Sequence, residues 1–151
     1  LDLLGRKAMM QGGAAPRLLL ERIGESCADA GALPELRDLA TQLLAGVRLA
    51  AEATQAVGQR MADGEVRLAL ANAHHYMTVL GHLVIGWLWL RSAVIAQRAL
   101  ADAPATDAGF YRGKLQACRF FFAHELPQIG LAARLVREAE PSAFEMQDGW
   151  F

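Results

Sequence analysis

The side chains of this chain that could do chemistry are four histidines, two cysteines and a set of basic residues among aromatics. His74 and His75 are adjacent. Neighbours on a helix point about 100° apart, so the two rings cannot face one metal ion. Thr78 and Val79 stand where a second ligand one turn on would be needed. His124-Glu125 shares the first two residues of the zinc-protease helix motif, but position 128 is Gln and Pro127 breaks the helix that the motif requires. His82 precedes Leu83-Val84-Ile85-Gly86, an apolar setting without the basic neighbour that a phosphorelay histidine uses to hold phosphate. A histidine satisfied within the core is the expectation there. Arg112, Lys114 and Arg119 lie beside Tyr111 and Phe120-Phe121-Phe122, with Arg112 and Arg119 seven apart and so on one helix face. Such alternation can hold phosphates and stack bases. The plainer expectation is a solvated or interface face with its aromatics turned inward. Cys27 and Cys118 are expected as two reduced thiols packed as small apolar groups, and neither they nor any serine has a nucleophile's setting. No residue is assigned a catalytic, cofactor or metal role.

These residues need elements to position them. A chain of 151 residues that is 54% hydrophobic and 21% charged can form one domain with a real core. Its formal net charge of −1 supplies no field to attract nucleic acid or an anionic membrane. The first residues carry the basic pair Arg6-Lys7 after apolar ones, the wrong order for an export signal. The chain opens on Leu1 without a methionine and reads as a piece of a longer, cytoplasmic protein.

Four helical segments are predicted. The first runs from about Ala14 to Ala30, after Gly12-Gly13, with Leu19, Ile23 and Cys27 at four-residue spacing. The second runs from about Pro34 to Ala62 on a heptad-like stripe: Leu36, Ala40, Leu43, Val47, Ala50, Thr54, Val57 and Met61. Asp63-Gly64 closes it. The third runs from about Glu65 to Asp102 and contains no acidic residue from Val66 to Ala101. It carries one stripe from Val66 through Leu70, Met77, Leu80, Val84 and Trp87 to Val94, and another through Tyr76, Val79, Leu83, Gly86, Leu90 and Ala93. A helix apolar on two faces is expected to be the most buried element, or to be covered again by a partner. Trp87 and Trp89, about 200° apart on a helix, are expected to split between the bundle and a second surface. The longest apolar run, Met77 to Leu90, is shorter than the roughly 20 residues of a membrane span. The fourth segment starts at Thr106 or Asp107 as N-cap and runs to about Ala139. Leu115, Cys118, Phe122, Leu126, Ile129, Ala133 and Val136 share one face, and Pro127 kinks or interrupts it. The fold class is all-α: an antiparallel four-helix bundle over residues 14–140, preceded by a linker segment 1–13 and followed by an aromatic tail 141–151.

Phe110 to Pro127 reads Phe-Tyr-Arg-Gly-Lys-Leu-Gln-Ala-Cys-Arg-Phe-Phe-Phe-Ala-His-Glu-Leu-Pro, and the chain closes on Met-Gln-Asp-Gly-Trp-Phe. A generic bundle has no reason to carry this pairing. It resembles the C-terminal extension domain of a subgroup of bacterial FAD-dependent acyl-CoA dehydrogenases. Leu1-Asp2-Leu3-Leu4-Gly5-Arg6-Lys7 resembles the segment that follows the family's catalytic motif, Tyr-Glu-Gly-Thr. The resemblance implies a parent enzyme in which that glutamate takes the α-proton of an acyl-CoA thioester, FAD takes the β-hydride, and a 2-enoyl-CoA results. It implies that base and flavin site lie outside these residues. The extension would be structural, serving assembly or covering the substrate side, with the rest of the parent and further copies as partners. Trp87, Trp89, Arg112, Arg119, Trp150 and Phe151 are the candidate interface residues. The alternatives are a free-standing helical interaction module and a phosphorelay bundle using His82.

Overall fold

The computed structural model describes residues 2–8, 10–102 and 104–151; Leu1, Met9 and Ala103 lie outside the described residues. Among the described residues seven α-helices follow one another and there is no strand: α1 Ala14–Gly31, α2 Arg37–Ala62, α3 Val66–Leu70, α4 Ala73–Leu100, α5 Ala105–His124, α6 Gln128–Glu138 and α7 Ser142–Glu145. A π-helical turn, Leu3–Lys7, and a 3-10 turn, Met10–Gly12, precede α1. Leu4 and Ala8 are buried in the core, so the N-terminal segment packs as well as links.

The breaks have local causes. Gly12 and Gly13, at φ +63° and +76°, turn the chain into α1. Pro34 opens a 3-10 turn that leads into α2. Gly64, at φ +86°, closes α2 as expected. Pro127 ends the α5 direction: the Leu126 amide reaches back to the Phe121 carbonyl (2.9 Å), and α6 starts at Gln128. Two expectations need correction. The helix α5 begins at Ala105 behind Pro104, without side-chain capping from Thr106 or Asp107. The third segment is two helices, because the Asn72 side chain leaves the helix pattern and donates to the Glu140 carbonyl (2.8 Å), tying the α3–α4 joint to the end of α6.

The long elements run up, down, up, down, with α5 and α6 together forming the fourth leg. Helix α4 packs against α1, α2, α5 and α6, and α2 also packs on α1 and α6. At the centre, α2 and α4 approach through reciprocal glycines. A Cβ on Gly86 would stand 3.2 Å from Leu43 Cδ1, and one on Gly46 would stand 3.3 Å from Leu83 Cδ1. The buried side of α4 is the stripe Tyr76, Val79, Leu83, Gly86, Leu90 and Ala93. Every residue expected on the inner face of the fourth leg, from Leu115 to Val136, is buried. The opposite side of α4 is open: Met77, Ile85, Leu88 and Ile95 are exposed, so one of its two apolar faces is covered within this chain and the other is not. The helix is long and apolar enough to cross a membrane by length and composition, but its core face is occupied by four other helices.

The aromatic tail folds into α7 and a 3-10 turn, Asp148–Trp150. Ser142 caps back onto Glu140, its hydroxyl donating at 2.7 Å, and Arg67 lies 5.0 Å over the Phe144 ring. Beyond Phe144 the tail does not dock on the bundle: Trp150 is 65% exposed and Phe151 96%.

Candidate functional site

The histidines are fixed by their helices. The His74 and His75 rings lie close and tilted by 42°, with centroids 3.7 Å apart. Burial, the neighbouring His74 charge opposing protonation in the same sense, lowers the His75 pKa against the opposite pull of Glu140. His82 lies on α4 with Nδ1 2.9 Å from the Thr78 carbonyl and Nε2 3.8 Å from the Glu125 carboxylate, and its ring faces Phe121. The ring is therefore held by the fold at the α5–α6 joint. Among the described residues, no three His, Cys, Asp or Glu side chains converge as a metal site would require.

Cys27 and Cys118 are free and buried. Burial pushes the Cys27 thiol up to about 11 and the Cys118 thiol up to about 12, the latter despite the opposing pull of Arg119. A thiol so far from ionising is a poor nucleophile at neutral pH. The buried Tyr76 hydroxyl meets Thr54 Oγ1 at 2.9 Å, and burial raises its pKa over the smaller opposing effect of that bond. These groups serve packing.

The candidate interface residues fall into three places. Trp87 and Trp89 are both partly buried and both pack against the core from opposite flanks of α4, rather than one inward and one outward. Trp87 Nε1 donates to Ser26 Oγ on α1 (2.7 Å), and the Arg91 guanidinium lies 5.4 Å over its ring. Arg112 and Arg119 are exposed on α5. On the same helix Lys114 lies 5.3 Å over the exposed Phe110 ring, and the Phe120 and His124 rings meet tilted with centroids 4.5 Å apart. Phe121 and Phe122 are buried, so only part of the aromatic run turns inward. Trp150 and Phe151 lie at the exposed end of the tail. Sequence reasoning missed the outward row of α4. Its signal is present in the spacing of Met77, Ile85, Leu88 and Ile95, which share one face opposite the core stripe.

The surface thus offers apolar and aromatic faces for packing and no convergent acid, base or nucleophile among the described residues. Comparison with known proteins agrees with the aromatic-basic signature of α5. The family model described as acetyl-CoA dehydrogenase C-terminal like matches residues 19–147, from α1 into the tail. The broad-specificity linear acyl-CoA dehydrogenase FadE5 of Mycobacterium tuberculosis is 30% identical over 86 residues, 56% of this chain. That match spans only 14% of the FadE5 length. With the family match covering nearly all of the bundle, the chain belongs to the acetyl-CoA dehydrogenase C-terminal-like family.

Proposed function

We propose that this chain is the C-terminal helical domain of a larger acyl-CoA dehydrogenase, and that its own work is structural. The observation that carries this reading is the family match over residues 19–147, together with the small fraction of FadE5 that the chain spans. The parent would oxidise an acyl-CoA to its 2-enoyl-CoA with FAD, in the cytoplasm and as a homo-oligomer. When bound, FAD would supply the hydride acceptor. The residues here do not fit it. A groove of about 400 Å³ between the start of α1 and α2 brings one cation, Arg17, and the neutral polar Thr54 and Gln55 to a lining otherwise of apolar and small residues. A flavin dinucleotide presents two phosphates and a ring system to be stacked. No catalytic step is therefore assigned to these residues.

The domain's part is to present faces for assembly or for covering the substrate side of the parent. Exposed apolar side chains on α4, α5 and the tail support that reading. The test is a titration of the 151-residue chain with FAD and a series of straight-chain acyl-CoAs, read by flavin absorbance and by an electron-acceptor dye. The expected result is no stoichiometric flavin and no dye reduction. A yellow, acyl-CoA-oxidising preparation would overturn it.

A further inference from the structure

The outward side of α4 is patterned for a second copy of itself. Met77, Gly81, Ile85, Leu88, Ser92 and Ile95 fall within an arc of roughly 80° at 100° per residue. That arc is opposite the core stripe, and its four large residues are 46% to 65% exposed. A Cβ on Gly81 would meet nothing within 4 Å. Neither a turn nor packing inside the chain accounts for a glycine there, and glycine in a helix interior costs about 1 kcal/mol relative to alanine. Gly24, Gly113 and Gly130 share that openness, so Gly81 leaves room for close approach at this face without by itself marking it.

The order of sizes along the row is large, small, large, large, small, large. It reads nearly the same in both directions about the point between Ile85 and Leu88. An antiparallel pair of identical helices centred on that point sets Met77 against Ile95, Gly81 against Ser92 and Ile85 against Leu88 of the other copy. The two small positions then face each other, and the large residues on either side can interdigitate along the seam. Size allows a parallel pair as well, each residue facing its own copy, but of the two only the antiparallel pair sets α1 against α1.

The flanking charges select the same arrangement. Helix α1 runs parallel to α4, with Ser26 bonded to Trp87 and Asp29 sharing a groove with Arg91 and Ile95. The midpoint of the α4 row is therefore level with Glu25 and Ser26. The twofold rotation that pairs α4 with α4 antiparallel also faces α1 with α1 and brings Arg22 opposite Asp29 of the second copy, twice. Asp29 has no ion-pair partner among the described residues, and Arg22 shares only an exposed pair with Glu25 (2.9 Å).

We propose that the outward face of α4, flanked by Arg22 and Asp29 of α1, is an antiparallel twofold interface between two copies of this chain. This gives the assembly role a surface, and it rests on the proposed function only in taking assembly to be the domain's work. It is an isologous contact and closes as a dimer.

The test uses the double variant Gly81→Cys/Ser92→Cys. Within one helix the two positions are about 16 Å apart at 1.5 Å per residue, so an 81–92 disulfide can form only between copies. Trypsin cleaves at Arg91 and separates the two sites, so mass spectrometry reads which sulfurs are joined. The prediction is a dimer linked 81 to 92, with Leu88→Glu in the same background reducing its yield at least tenfold while helicity is unchanged. Asp29→Arg should weaken self-association in sedimentation equilibrium, and adding Arg22→Asp should restore it. Linkage only 81–81 and 92–92, no linkage up to millimolar chain, yield indifferent to Leu88→Glu, or no rescue by the charge swap would each overturn the interface. None of those results bears on whether the chain belongs to a flavin enzyme. The coding sequence upstream of Leu1 decides that separately.

Discussion

Replacing Gly86 by alanine isolates what the α2–α4 crossing demands. In a helix interior the exchange should stabilise by about 1 kcal/mol from backbone propensity alone. Gly113 in α5 provides the reference, because a Cβ there meets nothing within 4 Å. In a chain of this length 1 kcal/mol moves the melting temperature by roughly 2–4 °C, so Gly113→Ala should raise Tm by about that much. At Gly86 the new methyl would stand 3.1 Å from Leu126 Cδ1, 3.2 Å from Leu43 Cδ1 and 3.5 Å from Phe121 Cε1. All three neighbours are buried, so none can swing into solvent. Forcing one methyl into a filled core costs about 1–3 kcal/mol. Because the displaced atoms are ends of leucine side chains, the low half of that range applies. The cost then equals or exceeds the propensity gain. Gly86→Ala should melt at or below the parent temperature and about 2–8 °C below Gly113→Ala. Gly86→Leu should lose cooperative unfolding or fall much further. The assay is thermal unfolding by far-UV circular dichroism, with reversibility checked. If Gly86→Ala gained as much as Gly113→Ala, the close approach of α2, α4 and the α5–α6 joint would be refuted.

Thr54→Val should cost about 1–3 kcal/mol, because the buried Tyr76 hydroxyl loses its partner. Adding Tyr76→Phe should recover most of that loss in chemical denaturation, since no polar group is then stranded. Asn72→Ala should cost about 1–2 kcal/mol and loosen α6 from the α3–α4 joint, read as faster amide exchange at the end of α6. Both thiols have pKa values raised by folding, so they favour the folded state below the unfolded thiol value near 9 and lose that contribution as pH rises toward about 11 for Cys27 and 12 for Cys118. Above pH 9 stability should fall by about 1.4 kcal/mol per pH unit for each thiol, a slope that Cys27→Ala/Cys118→Ala should reduce. Truncation after Pro141 should lower Tm by only a few degrees, since the Arg67–Phe144 contact is the tail's aromatic hold on the bundle, and in the untruncated chain Trp150 should emit at its solvent-exposed maximum.

Much of this fold was legible because periodicity and breakers agreed. The α2 stripe from Leu36 to Met61 and the fourth-leg stripe from Leu115 to Val136 face inward, and Gly12-Gly13, Gly64 and Pro127 interrupt the chain where backbone rules require. The α3–α4 break was not legible. Asn72 is one polar residue inside a helical pattern, and what pulls it out is the carbonyl of Glu140, 68 residues away. The tryptophans misled for a related reason. A large side chain on a helix flank can bend toward the core, so two residues about 200° apart both found partial burial, and the outward arc fell to Met77, Ile85, Leu88 and Ile95. The family was legible from the α5 signature and the tail, residues that the core does not use in full. Phe110, Phe120, Trp150 and Phe151 remain on the surface, where folding of this domain alone leaves them unexplained.

The most direct test of the central claim is the coding sequence immediately upstream of Leu1. If this chain is the C-terminal domain of an acyl-CoA dehydrogenase, the open reading frame continues upstream and encodes Tyr-Glu-Gly-Thr shortly before Leu1, preceded by a flavin-binding region. An initiation codon at that boundary, or an upstream region unrelated to acyl-CoA dehydrogenases, would contradict the account.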